Sequence, residues 1–350
     1  MAFITIPNVT IKAISACVPK NTESNYDYDW ITPEERALLV KTTGIEKRRV
    51  ASENICTSDM CFEAAQKLIH DLSIDKNEIE VLVFVSQTVD YFLPATGIIL
   101  QERLGLNKNT MAFDIMLGCS GYVYGLSVIS TLISTGKFKK GLLLAGDKST
   151  FSVSKKDKST YPLFSDAGTA TLIEYDEHAA LMDFNLQSDG AGYKAIHIPE
   201  GGTRVRWNEN TLKPIEIEKG IIRNKSNLWL DGVEVFNFSL REAAPNVQNL
   251  INYNNTTIDD YHYFIFHQAN KLMNESIRKK LKLAPEKVPY SLKDFGNTSS
   301  ASIPLTMVTQ LQDKNLANHN FIFSAFGVGL SWASCAIKNT HIQLLPLLEI

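Results

Sequence analysis

The sequence has little of what would set it apart from ordinary globular proteins. Its five cysteines, Cys17, Cys56, Cys61, Cys119 and Cys335, are odd in number, scattered, and never spaced C-x-x-C. That excludes a disulfide framework and a cysteine zinc site, and no metal centre is expected. No apolar run reaches the roughly 18–20 residues a membrane span needs. The N-terminal MAFITIPNVTIKAISACVPK lacks a basic leader and is interrupted by Lys12, so its alternation predicts a strand and not a signal peptide. Charge of one sign is also missing. Lys and Arg number 35 against 38 Asp and Glu, a net −3, and no global basic field advertises nucleic acid. With 44% hydrophobic and 21% charged residues, the disordered and collagenous classes fall away as well. These absences point to a cytoplasmic chain with reduced thiols. Its 350 residues make two to three units of about 150 residues, or one large one.

What is present is alternation. TPEERALLVKTTG at 32–44 carries a helix start and stop: a Thr32/Glu35 capping box, Pro33 at the first helical position, and Gly44 after the last turn. A second amphipathic helix is expected over 57–71, with Cys61, Ala65 and Ile69 on one face, so Cys61 reads as core filling. VLVFV at 81–85 suits a strand buried on both faces. A helix over 95–104, a strand over 112–115, a helix near 120–136, and strands over 140–147 and 168–175 follow. This order predicts an α/β fold with a largely parallel sheet.

The second half repeats the scheme, with a strand at 261–266, a helix at 271–283, a turn at 294–297, a helix near 298–312 and a strand at 320–326. Residues 194–229 are polar, aperiodic, and hold Arg204, Arg206, Trp207 and Trp229; they read as a covering excursion. The expected organisation is an N-terminal half over 1–178, covering loops over 179–229 and a C-terminal half over 230–350.

Three segments concentrate chemistry at strand ends or helix starts: LGCSGY at 117–122, FHQAN at 266–270 and DFGNTSSASIP at 294–304. Cys119 lies between Gly118 and Gly121 where a helix begins, and unpaired N–H groups and the helix dipole there favour thiolate. Taken singly, Cys119 could be a small buried hydrophobe, His267 a satisfied core residue and Asn297 a helix cap. Together a thiol, an imidazole and an amide suit two-stage thioester chemistry. The thiolate accepts an acyl group, and two neutral N–H donors stabilise an enolate on a second thioester.

The segments GCSGY, HQAN, GNTSSASIP and AFGVGLSW, with TGIEKRR at 43–49 and FSDAGTA at 164–170, resemble β-ketoacyl-acyl carrier protein synthase III in order and spacing. The resemblance runs nearly end to end. It implies the thiolase-like fold, two similar halves layered α-β-α-β-α, and a decarboxylative Claisen condensation between an acyl primer on Cys119 and malonyl-carrier protein. In that frame His267 and Asn297 support decarboxylation, and the backbone amides of Cys119 and Val328 form an oxyanion hole. Leu93 reaches toward a partner subunit in a homodimer, and Gly232, Phe236 and Asn270 line the pantetheine tunnel. No cofactor is implied beyond the CoA- or carrier-bound thioesters themselves.

The chain departs from the family at the adenine clamp. Where relatives hold adenine between a tryptophan and an arginine, it has Leu38 and Lys158, with Thr42 at a second arginine position, so the stacking surface is missing. This keeps open an alternative in which the acyl group passes from Cys119 to an alcohol, an amine or another acyl chain. A non-catalytic carrier-binding protein is a third reading, which the presence of Cys119 disfavours. Lys271, Arg278 and Lys282, spaced seven and four apart, either steer an acidic carrier protein or form an ordinary solvated face.

Overall fold

The computed structural model describes residues 2–350, the side chains of Asn339 and Thr340 excepted. Two mixed sheets stack with helices between and outside them. The strands are β1 (Ala2–Ile6), β2 (Val9–Val18), β3 (Ile79–Val85), β4 (Met111–Ile115), β5 (Lys140–Lys148), β6 (Asp166–Tyr175), β7 (Met182–Ser188), β8 (Tyr263–Phe266), β9 (His319–Gly327), β10 (Ser331–Thr340), β11 (Gln343–Leu344) and β12 (Leu348–Glu349). The main helices are α1 (Pro33–Thr43), α2 (Thr57–Asp71), α3 (Thr96–Arg103), α4 (Gly121–Ser134), α5 (Gly232–Tyr253), α6 (Lys271–Lys280) and α7 (Ser302–Leu311).

The first sheet runs β11-β2-β6-β5-β3-β4, with β12 also beside β2, and the second runs β1-β7-β10-β9-β8. In the first, β2–β6 and β6–β5 are antiparallel and β5–β3 is parallel. In the second, β7–β10 and β10–β9 are antiparallel and β9–β8 is parallel. The repeat inferred from element order is therefore a repeat of topology. It also limits the expectation of a largely parallel sheet. In the first sheet β5, β3 and β4 are parallel to one another and β11 and β12 are parallel to β2, while β6 runs antiparallel to both its neighbours. In the second only β9–β8 is parallel. No helix crosses between β5 and β6 or between β9 and β10, and without a crossover the returning strand must run antiparallel.

Strand pleating distributes the core among the layers. Val81, Val83 and Val85 of β3 pack with α4 and α7 between the sheets, whereas Leu82 and Phe84 face α2 on the outside. The second sheet behaves alike. Phe321, Phe323 and Ala325 of β9 point to the shared middle layer, and Ile322 and Phe326 point to α5 and α6. Helix α4 lies between two sheets, which is why it is apolar almost all round. Its Val123, Leu126, Ile129 and Ile133 are fully buried, each contributing about 1.5–3 kcal/mol of transfer free energy.

Local signals held at α1, where Thr32 and Glu35 form the capping box and Gly44 closes the helix in the left-handed region at φ +72°. Cys61, Ala65 and Ile69 are buried on α2. The division at 178 and 229 does not follow the sheets. β1 pairs with β7 in the second sheet, β11 and β12 return to β2 in the first, and β7 falls inside the stretch expected to be covering loop. Strand exchange between halves leaves no local trace in the sequence, because each strand is apolar whichever sheet it joins.

Candidate functional site

The carboxyl ends of β3, β5, β8 and β9 converge with the start of α4 on a cleft of about 660 Å³. Cys119, His267, Asn297 and Val328, drawn from four separate segments, all line it. The hairpin turn after β9 lies directly against the thiol. Gly327 has φ +155°, and a Cβ there would stand 2.7 Å from Cys119 Sγ, so only glycine admits this approach. Ser120 Oγ and Ser331 Oγ are 2.7 Å apart, and Ser331 donates to the Val328 carbonyl at 2.7 Å. These bonds tie the mouth of α4 to the turn.

The backbone N–H groups of Val328 and of Cys119 itself both hydrogen-bond the sulfur, as does the Ser299 side chain. Burial nevertheless dominates and pushes the thiol up to about 11, with Asp147 adding a smaller unfavourable charge. The expectation of a helix-favoured thiolate is thus corrected: desolvation outweighs the dipole and the donors. Burial also holds His267 down to about 4, against a weaker opposing hydrogen bond with the Ser299 backbone. The resting pair is a neutral thiol and a neutral imidazole.

His267 closes β8 and is almost completely buried. Its Nδ1 lies 2.8 Å from Ser302 Oγ, and its ring meets Phe326 edge to face with centroids 5.7 Å apart, which fixes its orientation. Asn297 is clamped through its backbone, donating to the Leu163 carbonyl and accepting from Ser165 N–H, both at 2.9 Å. Its Oδ1 accepts from Ser299 N–H at 2.9 Å. The amide nitrogen keeps only a long contact of 3.5 Å to the Ala269 carbonyl, leaving an N–H donor for the cleft.

Asp147 was missed in the sequence. It ends β5, is buried, and lines the same cleft. Its carboxylate accepts from Ser86 Oγ at 3.1 Å, Gln87 N–H at 2.8 Å, Ser300 N–H at 3.2 Å and Ser300 Oγ at 2.8 Å. Burial pushes its carboxyl upward against those donors. It joins the loop after β3 to the segment before α7, fastening one half of the chain to the other behind Cys119. An aspartate closing the apolar run KGLLLAGD was the signal available.

The peripheral residues divide. Asn270 lines the cleft and caps α6 through Met273 N–H at 2.9 Å. Gly232 and Phe236 lie outside the cleft wall, Gly232 exposed at the start of α5 and Phe236 packed on the outer core. Leu93 also lies off it and is 86% exposed. Arg278 does not present a docking charge. Its guanidinium pairs with Glu275, Nε to Oε1 at 3.0 Å and Nη2 to Oε2 at 2.9 Å, and also donates to the Leu283 carbonyl. Lys282 sits beyond the end of α6, so the three cations do not form one helical face; Lys271 and Lys282 are exposed. Leu38, Thr42 and Lys158 do not line the cleft, and Lys158 is engaged by Glu35 at 3.2 Å.

Comparison with known proteins agrees with this architecture. Residues 113–190 match the 3-oxoacyl-[acyl-carrier-protein (ACP)] synthase III family and residues 251–339 match its C-terminal family. A putative 3-oxoacyl-[acyl-carrier-protein] synthase 3 of Campylobacter jejuni is 32% identical over 335 residues, 94% of this chain and 92% of that protein. A beta-ketoacyl-[acyl-carrier-protein] synthase III of Aliarcobacter butzleri is 32% identical over 336 residues, 95% and 98% of the two chains. The crystal structure of a 3-oxoacyl-(acyl-carrier protein) synthase from Burkholderia xenovorans superposes with a TM-score of 0.93 at 33% identity, covering 100% of this chain and 99% of that one.

Proposed function

The chain belongs to the β-ketoacyl-acyl carrier protein synthase III family, condensing enzymes of the acyltransferase class in fatty acid biosynthesis, and from that premise we propose how its own residues carry the reaction. The observation that carries the reading is the convergence of Cys119, His267 and Asn297 on one cleft, with two backbone N–H groups on the sulfur.

In the first stage Cys119 Sγ attacks the primer thioester. The new S–C bond forms, the bond to the donor's sulfur breaks, and the thiol proton leaves on the departing thiol by way of His267. The N–H groups of Cys119 and Val328 receive the carbonyl oxygen as it gains charge. In the second stage malonyl-carrier protein loses carbon dioxide. The C–C bonding electrons pass onto the thioester oxygen, which the imidazole of His267 and the amide of Asn297 hold by neutral N–H donation. Burial of His267 suits this task, since a neutral imidazole donates without trapping the enolate as an ion pair. The enolate carbon then attacks acyl-Cys119, a C–C bond forms, and the cysteine sulfur leaves as a thiolate that takes a new proton from solvent water.

Acyl carrier protein, named in the relatives' activity, is the second substrate's carrier in this reading. The homodimer is proposed on the edge of the first sheet. β4 is unpaired on its outer side, with Met111 and Met116 exposed at its ends and Tyr91, Phe92 and Leu93 exposed nearby. An apolar open edge of this kind invites pairing with a second copy. Among the described residues no helix is long and apolar enough to cross a membrane, and a cytoplasmic location is part of the same proposal. Transfer to an alcohol or amine is not favoured by the relatives.

The test is Cys119→Ser, assayed for acyl loading by intact mass and for condensation with malonyl-carrier protein. A hydroxyl is hardly ionised at neutral pH, and a loss of at least about 10³-fold is expected. A variant retaining a tenth of wild-type condensation would assign the nucleophile elsewhere.

A further inference from the structure

The excursion between the halves carries a group of residues that the condensation chemistry does not use. Its loop Gly201–Trp207 stands at the rim of the cleft, and Gly201, Gly202 and Trp207 line it. Trp207 is 63% exposed although its indole packs over the Gly201 backbone, where a Cβ would come within 2.1 Å of Nε1. A large aromatic face left in water at a cleft rim is a stacking surface awaiting a partner. Arg204 and Arg206 precede it in the same loop, both exposed and just outside the cleft wall. Among the described residues neither has an ion-pair or hydrogen-bond partner.

The loop is exposed at its tip but anchored at its base. Buried Glu200 accepts from Thr211 Oγ1 at 2.6 Å, Asn208 Nδ2 at 3.3 Å and Lys225 Nζ at 2.9 Å. Gly201 N–H donates to the Val205 carbonyl at 2.9 Å. The buried Glu200 carboxylate is thus consumed by its own scaffold and does not neutralise the arginines. From the rim inward the same excursion lines the cleft with Ile198, Ile196, Leu228 and Leu230, an apolar wall leading toward Cys119. Lys158 has its ammonium on Glu35 and its stem against Gly220, and both Lys158 and Leu38 lie off the cleft.

We propose that Arg204, Arg206 and Trp207 form the site that grips the phosphorylated end of the pantetheine-thioester donor, a phosphate ester held by guanidinium forks beside an indole face. Planar, permanently charged guanidinium groups match phosphate oxygens two at a time. The proposal rests on the condensing-enzyme reading for its choice of donor, and it places recognition of the donor's phosphorylated end on the excursion. The phosphate is common to CoA and to carrier-bound phosphopantetheine. Trp207 adds a surface on which the adenine of CoA alone can stack.

The experiment compares wild type with Arg204→Ala/Arg206→Ala and with Trp207→Ala. Each is titrated by calorimetry with CoA, 4′-phosphopantetheine and unphosphorylated pantetheine, and each is assayed with matched acyl-CoA, acyl-carrier and acyl-N-acetylcysteamine donors, the last lacking phosphate. For the double variant, the ratio of kcat/KM for phosphorylated donors over acyl-N-acetylcysteamine falls about tenfold. The preference for 4′-phosphopantetheine over pantetheine in binding falls with it. Loss of that ratio for both acyl-CoA and acyl-carrier shows the shared phosphate is held; loss for acyl-CoA alone, with Trp207→Ala weakening CoA but not phosphopantetheine, shows that CoA is the source. An unchanged ratio, or an equal loss with acyl-N-acetylcysteamine, overturns the proposal. Binding is read without turnover, so an enzyme that binds as expected but releases no carbon dioxide would count against the condensation reading and leave this site standing.

Discussion

The inner end of the cleft and its rim are built on opposite principles. At the inner end, Cys119, His267, Asn297 and Asp147 are buried and held by hydrogen bonds that cross from one half of the chain to the other. At the rim, Arg204, Arg206 and Trp207 are exposed on a loop fixed only at its base. Chemistry that needs atoms placed to a fraction of an ångström sits where packing over-determines the geometry. Recognition of a flexible donor tolerates a tip in solvent. The difference teaches that substitutions at the inner end act on steps of the reaction, whereas those at the rim act on which donor is used.

The comparison breaks most severely at Asn297. Asn297→Asp replaces an N–H donor with a carboxylate facing a developing oxyanion, and loss of one such donor costs about 10²–10³ in rate. Carbon dioxide release from malonyl-carrier protein should fall by that amount while acyl loading on Cys119, followed by intact mass, continues. Poor loading with normal decarboxylation would reassign Asn297 to the first stage. Gly327→Ala comes next. Its methyl would stand 2.7 Å from Sγ and the backbone would keep φ +155°, so the turn must shift and carry the Val328 N–H with it. A displacement near 1 Å in such a site costs about 100-fold, and both loading and condensation should drop together.

Asp147→Leu tests the fastening instead of the chemistry. It strands the donors of Ser86, Gln87 and Ser300 at about 1–3 kcal/mol for each buried group left unpaired. Urea unfolding should show a loss of about 3 kcal/mol or more, and a midpoint unchanged from wild type would mean that water replaces the carboxylate.

The gentlest test leaves the sequence alone. With the thiol at about 11, the thiolate fraction below that value rises tenfold per pH unit, so alkylation of Cys119 by iodoacetamide should accelerate about tenfold per unit from pH 7 to 10. With His267 near 4, that residue adds no inflection in the window. A rate that levels off below pH 9 would reveal a thiolate–imidazolium pair in the resting enzyme.

Much of the inner end was legible because each of its residues sits in a short motif at a strand end. LGCSGY, FHQAN and GNTSS could be read singly as caps and core, and only their joint order pointed to thioester chemistry. Asp147 escaped because one aspartate after an apolar strand carries no motif. Arg278 was misjudged because spacing along a helix places a side chain on a face but cannot say that Glu275 and the Leu283 carbonyl will capture it. Gly232 and Phe236 lie just outside the cleft wall that Val235 joins, because the shape of the cleft depends on how the excursion folds over it.

The sequence by itself determined the elements, their apolar faces and the three chemical motifs, since periodicity, caps and glycines act over a few residues at a time. Tertiary structure alone decided the rest. It exchanged β1, β11 and β12 between the sheets, made both sheets mixed, and buried Cys119 and His267 so deeply that both stand neutral. Pairing of distant strands and the loss of water around a charge are set by what the whole chain brings to one place, and no local window of residues contains that information.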